Sequence, residues 1–276
     1  MLSLAAKVWP GQVEAATVDH GLRPEAQDEA AMVARWCVEQ GVPHVTLHPE
    51  APIRGNLQSE ARAVRYALLR SWYNDRRLNW LLTAHHADDQ IETLIMRLNR
   101  GSGVGGLAGV RARQDQLLRP MLGFRRAELR AYCEQRRVPF VDDPSNVDPH
   151  FDRARLRAKL AGHDLFDPAR LARSLDALAE ADDALDWAAR QIIERNISDK
   201  AGVLVLDQTD FPPAILRRVL MHMIEKINPD ATSPRGPSID QALVQLFDGK
   251  TVTLADCVVT GGKCWTVCRA PPRRVG

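Results

Sequence analysis

The sequence predicts an α/β fold: a parallel sheet with helices on both faces, followed by a long helical linker and a small α+β C-terminal region. Three observations carry that expectation. Short apolar runs alternate with helix-period segments from Val13 to Leu98, the order expected of β-α-β units. Two of those runs stop abruptly at polar clusters, Asp19-His20 and His85 to Gln90, as strands do when their carboxyl ends carry chemistry. After Gly202 the composition shifts to short β-rich runs separated by Pro- and Gly-rich turns.

Met1–Trp9 reads as the end of a helix closed by Pro10-Gly11, and Val13–Val18 as a strand. Pro24 suits a helix's first turn, where its missing N–H costs least, and Ala30, Val33, Ala34, Cys37 and Val38 give the helix one apolar face up to Gly41. Val42–Leu47 is the next strand, Leu57–Trp72 a helix carrying Arg62, Arg65 and Arg70, and Trp80–Ala84 the third strand. Ile91, Leu94, Ile95 and Leu98, at i, i+3, i+4 and i+7, then define a helix that runs into the glycine loop Gly101-Ser102-Gly103-Val104-Gly105-Gly106. A helix over about Arg125–Arg137 precedes a strand-like Val138–Val141 and the turn Asp142–Asn146. Phe151–Arg157 opens another helix, with arginines at spacing two that point around it. Leu171–Ile193 is one long helix, Val203–Leu206 a strand, Pro212–Ile227 a helix, Asn228–Pro237 a loop, and Thr251–Val267 a hairpin turning at Gly261-Gly262. The expected division is residues 1–160, a linker over 161–200, and a small region over 201–276.

The 276 residues suffice for a sizeable core, and a net charge of only +2 excludes a global polycation. Arginine outnumbers lysine heavily, with Lys at only six of the 37 basic positions, and the planar guanidinium suits phosphate and carboxylate. No run of 18 apolar residues is present, which argues against a membrane span, and Met1–Trp9 lacks the pattern of a signal peptide. Five cysteines without a CxxC pair indicate neither a disulfide framework nor a zinc knuckle, so a reducing, cytoplasmic setting is expected.

Asp89 followed by Glu92 before an apolar run is an acidic variant of the capping box, and that alone would explain both carboxylates. It leaves His85, His86 and Asp88 unexplained. Histidines beside carboxylates at a strand terminus suit Mg²⁺ binding through oxygen, transition-metal binding through nitrogen, or acid–base work; a zinc protease lacks its HExxH helix here. The glycine loop follows a helix, so it meets neither the Walker A nor the dinucleotide pattern. Arg153, Arg155 and Arg157 sit near a helix start, where cations oppose the macrodipole and an anionic partner would offset them.

Six segments taken together are more specific. VDHGLRPEA (Val18–Ala26), NLQSEARAVRY (Asn56–Tyr66), LLTAHHADDQIET (Leu81–Thr93), LNRGSGVGGLAG (Leu98–Gly109), LLRPML (Leu117–Leu122) and DDPSNVDPHFDRARLR (Asp142–Arg157) resemble, in order, the tRNA(Ile)-lysidine synthases. Arg217-Arg218, Pro234-Arg235, Gly249-Lys250-Thr251 and Trp265 resemble that family's C-terminal region more weakly. The resemblance implies a PP-loop ATPase of the adenine nucleotide alpha-hydrolase type over 1–160 and a small tRNA-binding region over 201–276. Such an enzyme uses ATP and Mg²⁺ to adenylate the wobble cytidine of a CAU-anticodon tRNA(Ile), after which L-lysine displaces AMP to form lysidine. Carried over by motif position, His85, Asp89 and Arg153 are catalytic, with Asp88 and Glu92 supporting and Asp89 a candidate Mg²⁺ ligand. Asp19, His20, Arg65, Gly101 and Gly103 are expected at ATP, and Arg62, Arg119, Asn146, Arg155 and Arg157 at the substrate. The family's SGGxDS loop is not found in this sequence, and Met1–Trp9 matches only the end of the helix after it, so the expectation is an N-terminally truncated domain. A coding start set too far downstream is the preferred explanation, and a truncated relative with impaired ATP binding the other. Ala154 stands where many relatives carry Asn. A tRNA 2-thiolation enzyme, which would need sulfur-carrying cysteines, and a non-catalytic tRNA-binding remnant are the alternatives.

Overall fold

The structure, a computed structural model, describes residues 1–52, 57–142, 148, 150, 152–160, 165–232, 234 and 236–271, with side chains of the second stretch described from residue 60 onward. The chain forms two compact units. The first comprises Met1–Arg100 and Gly109–Asp176, the second Gly101–Ala108 and Ala177–Gly276.

In the first unit, α1 (Leu2–Val8) precedes β1 (Ala15–Val18), and α2 (Glu25–Glu39) connects β1 to β2 (His44–Leu47). β1 and β2 pair in parallel from Ala15 opposite His44 to Val18 opposite Leu47. Their shared core is small: Ala15, Cys37 and Val42 are buried, with Leu2, Ala6, Val13, Val33 and Trp36 packed on them. α3 (Leu57–Asp75) leads to β3 (Leu81–Leu82), which pairs in parallel with β5 (Leu117–Leu118). β4 (Arg113–Gln114) turns back on β5 through Asp115 at φ 51°. The parallel pairing expected from the alternation is present for β1 with β2 and for β3 with β5, but among the described residues these form two separate ladders and not one sheet, with β4 antiparallel at the edge of the second. β5 is the strand that the Leu117-Leu118-Arg119-Pro120 motif conceals. α4 (Ala87–Asn99) follows β3, α6 (Arg126–Gln135) follows the sheet, and α7 (Asp152–Leu160) lies against α4.

The strand expected at Val138–Val141 is absent. Arg137 leaves α6 at φ 52°, and Val138 closes that turn by donating its N–H to the Cys133 carbonyl. Phe140 and Val141 remain exposed with no ladder beside them; the Arg130 guanidinium covers the Phe140 ring at 4.9 Å.

α5 (Val104–Leu107) is in the second unit, and α8 (Pro168–Asn196) passes from the first to the second at Asp176, inside the stretch expected as a linker. β6 (Ile197–Lys200), β7 (Val203–Leu206), β8 (Thr251–Leu254), β9 (Cys257–Thr260) and β10 (Trp265–Arg269) form an antiparallel sheet of order β6-β7-β10-β9-β8. α9 (Pro213–Ile227) and α10 (Gly236–Phe247) pack on it. Its core is dense: Leu204, Leu206, Leu216, Val219, Leu220, Met223, Leu246, Val259, Trp265 and Val267 have no solvent exposure. α10 corrects the loop expected up to Pro237; Ile239, Ala242, Leu243 and Leu246 fall at helical spacing on one buried face. The hairpin expected over Thr251–Val267 is two hairpins, the first turning at Ala255-Asp256 and the second at Gly261-Gly262. Gly261 is obligatory there, because a Cβ would sit 2.1 Å from the Leu246 carbonyl oxygen.

Candidate active site

β3 ends at Leu82, and the next residue, Thr83, still bonds the Leu118 carbonyl through its N–H at 3.0 Å, so the residues that follow leave from the carboxyl edge of a parallel pair. His86 occupies the N-cap of α4 in extended conformation, and its backbone N–H donates to the Asp89 carboxylate at 3.0 Å. The capping register is therefore one box earlier than the sequence suggested: Asp89 is the N3 acid, and Glu92 is released from capping. Glu92, 3% exposed, receives instead two hydrogen bonds from the Arg157 guanidinium, at 2.5 and 3.1 Å. The same guanidinium lies 3.5 Å from the other oxygen of Asp89. Arg157 thus ties α7 to both carboxylates of α4.

Arg153 lies four residues earlier on the same face of α7 and donates to the Thr93 hydroxyl at 3.2 Å. Arg155 takes the other side of α7 and bonds Asp152 and the His150 carbonyl, so it is not brought to the α4 carboxylates. Of the three arginines expected to point around the helix, two face α4. Asn146 lies outside the described residues.

His85 points its Nδ1 to the Thr83 hydroxyl at 3.0 Å. Burial pushes its pKa down to about 4; Asp89 opposes that shift, while Arg119, Arg62 and Arg153 add to it. The imidazole is therefore neutral at physiological pH and can accept or relay a proton but not serve as a standing cation. His85 resists protonation in the folded state, so stability is lost as pH falls from about 6.5 toward about 4, the reference and folded values. NMR titration of the His85 ring is expected to show a midpoint far below 6.5, and His85→Gln is expected to flatten the acid limb of stability over that window. A midpoint at the ordinary histidine value would remove the neutral imidazole from the site.

Arg119 is itself 5% exposed: one Nη donates to the Arg111 carbonyl at 2.7 Å, and its Nε has no hydrogen-bond partner. At the end of β1, Asp19 is 3% exposed and its carboxylate accepts the Gly21 N–H at 2.9 Å. Both ring nitrogens of His20 are buried and unpartnered; burial and then Arg65 lower its pKa against the pull of Asp19. α3 thus addresses both strand ends, with Arg65 acting on His20 and Arg62 on His85. Asp88, by contrast, serves α6: its carboxylate accepts the Arg126 N–H at 2.7 Å and an Arg125 guanidinium N–H at 3.0 Å. Burial raises the Asp88 pKa, and these bonds with Arg125 and His86 outweigh it and bring it below the usual range. Arg125 is the residue sequence reasoning missed, since its partner lies 37 positions earlier.

Gly101 and Gly103 are in the second unit, Gly101 at φ 66° and Gly103 at the start of α5. Gly103 lines a cleft of about 950 Å³ there with Arg190, Arg217, Arg218 and His222. The acids of the first unit suit a hard cation only in part. Among the described residues no three His, Cys, Asp or Glu side chains converge on one point, and both Glu92 oxygens are held by Arg157. Asp89, which accepts one firm hydrogen bond, keeps lone pairs free, and Mg²⁺ commonly takes one or two carboxylates together with substrate phosphates.

A neutral histidine, a carboxylate with open lone pairs and several guanidinia at a parallel-strand edge are equipped to hold a polyphosphate and to move a proton. Comparison with known proteins agrees with that chemistry. A family model described as a PP-loop domain matches residues 1–163. A tRNA(Ile)-lysidine synthase of Zymomonas mobilis subsp. mobilis is 40% identical over 282 residues, covering 99% of this chain and 85% of that protein. Another, of Novosphingobium aromaticivorans, is 42% identical over 287 residues, covering 99% and 86%. Among solved structures, the U34-tRNA thiolase NcsA from Methanococcus maripaludis is similar in fold, with a TM-score of 0.53 at 16% identity over 64% of this chain and 67% of that one. The chain belongs to the PP-loop family of tRNA(Ile)-lysidine synthases.

Proposed function

We propose that this protein uses ATP to activate the wobble cytidine of a CAU-anticodon tRNA(Ile) and joins L-lysine to it, forming lysidine. The observation that carries this reading is the Asp89–Glu92–Arg157 cluster beside a neutral His85, in a chain whose relatives bear that name. Adenylation joins the cytidine ring carbonyl oxygen to the α-phosphate and expels pyrophosphate. Negative charge grows on both phosphate groups, and Arg153 is the cation proposed to stabilise it. Mg²⁺, held by Asp89 and the phosphates, would neutralise part of that charge. In the second step the lysine amine attacks the activated ring carbon and AMP departs. That amine must lose a proton, and Asp89 and His85 are the acceptors at hand.

Glu92 and Arg157 act as positioning residues, since Arg157 bonds both Glu92 oxygens and neighbours Asp89, and together they fix the face of α4 that carries Asp89. Asp19, His20 and Arg65 complete the ATP side, and Gly101 and Gly103 stay as proposed ATP contacts, with Arg155 and Asn146 as proposed tRNA contacts. The 2-thiolation alternative finds little support in the cysteines: no CxxC pair is present, and burial raises the thiol pKa of Cys37 and Cys257. A reducing, cytoplasmic setting is part of this reading, and no helix among the described residues is long and apolar enough to cross a membrane.

The full-length gene product, given ATP, labelled lysine and a tRNA(Ile) transcript, is expected to incorporate lysine only when ATP is present. Binding of tRNA without incorporation would favour the non-catalytic remnant. Arg153→Ala is expected to slow adenylation about 100-fold while changing tRNA affinity little. An unchanged pyrophosphate release rate would take Arg153 out of the mechanism.

A further inference from the structure

A cavity of about 470 Å³ in the first unit, lined by residues of α3 and of the β3-β5-β4 sheet, is left over once the candidate active site is described. Arg62, Tyr66, Arg70 and Tyr73 form its helical wall, at the spacing that places them along one face of α3. Leu81 and Leu117 give it an apolar floor, and the β4-β5 turn, Gln114 to Gln116, gives it a polar rim. Arg119 closes it. This side chain is 5% exposed and its Nε lacks a partner, which is costly for a buried guanidinium unless a ligand completes it. Three guanidinia outnumber the single Asp115 carboxylate of the rim, and with two tyrosines, an apolar floor and the Gln114 and Gln116 amides they match one ligand chemistry: a phosphate joined to a flat, edge-polar ring. One face of Tyr66 is already covered by Arg62 at 5.0 Å, which leaves Tyr73 as the open stacking surface.

We propose that this cavity binds one nucleotide of the RNA strand, its phosphate on Arg119 and Arg70 and its base against Tyr73 on the Leu81–Leu117 floor. The proposal rests on the reading that the protein acts on tRNA. It assigns the cavity to a nucleotide flanking the one that reacts, because Leu117 and Arg119 of its lining bracket Leu118, whose carbonyl accepts the Thr83 N–H, and the Thr83 hydroxyl meets the His85 ring, so the cavity adjoins the candidate site. Holding a flanking nucleotide would keep the anticodon strand splayed while the target base is outside the stack.

The test uses the full-length protein, a fluorescent anticodon stem-loop of tRNA(Ile) and, separately, labelled ATP. Tyr73→Leu is expected to weaken stem-loop binding about tenfold. Arg70→Ala is expected to lower the slope of log affinity against log salt by about 0.7, with Arg70→Lys restoring it. ATP affinity is expected to stay the same in all three variants. Stem-loop binding and salt slope equal to wild type overturn the proposal, and so does a loss of ATP affinity in place of stem-loop affinity, which would assign the cavity to the free nucleotide. If the wild-type protein binds no stem-loop at all, it is the tRNA reading that fails.

Discussion

Arg157→Ala is expected to destabilise the first unit by about 3–5 kcal/mol, the cost of stranding a buried carboxylate. Glu92 is almost wholly inside, and both of its oxygens depend on this one guanidinium, itself only 23% exposed. Removing the cation leaves Glu92 two choices. It stays ionised in a poorly solvated place, or it takes up a proton and gives up the geometry that holds α7 to α4. At roughly 2–4 °C per kcal/mol for a unit of this size, the first thermal transition should fall on the order of 10 °C. Catalysis should fall with it even well below the melting range, since the same guanidinium neighbours Asp89. Replacing both partners, Glu92→Leu with Arg157→Leu, separates the two effects. An apolar pair should recover most of the stability. Activity should remain low, because Asp89 then keeps its His86 N–H bond but loses its guanidinium neighbour. Recovery of activity in the double variant would reduce the pair to a fold-stabilising contact.

The strand ends were legible in the sequence because apolar runs stop where a parallel sheet meets its ligands, and Asp19, His20, His85 and Asp89 all lie at such ends. α4 was legible from the spacing of Ile91, Leu94, Ile95 and Leu98. What local pattern could not supply was partnership across distance. Arg157 looks like any solvated arginine until its carboxylate partner appears 65 positions earlier, and Arg119 gives no sign that it is buried. The capping register was missed for a related reason: two adjacent acids and two adjacent histidines offer overlapping boxes, and only the path of the chain into α4 selects His86 over Asp89 as the cap. The glycine stretch reads as a loop throughout, whereas Val104–Leu107 closes into the short helix α5. The stretch's place within the second unit was not legible either, because membership of a compact unit depends on packing that chain order does not encode.

Asp89→Asn is expected to cut lysine transfer about 1000-fold while leaving the thermal midpoint within a few degrees of wild type. The asparagine amide oxygen can still accept the His86 N–H, so α4 keeps its cap, and the side chain keeps nearly its volume. What disappears is the negative charge. With it go most of the affinity for Mg²⁺ and the capacity to take a proton from the incoming amine. A second reading is available, because Asp89 is the group that opposes the downward push of burial and of the arginines on His85. Without that carboxylate the His85 midpoint should move still lower. A large fall in melting temperature with lysine transfer retained would make Asp89 a helix cap and nothing more. Lost transfer with an unmoved His85 titration would confine its part to the incoming amine or the metal, and lost transfer with a lowered His85 midpoint would show that the carboxylate and the imidazole work as one unit.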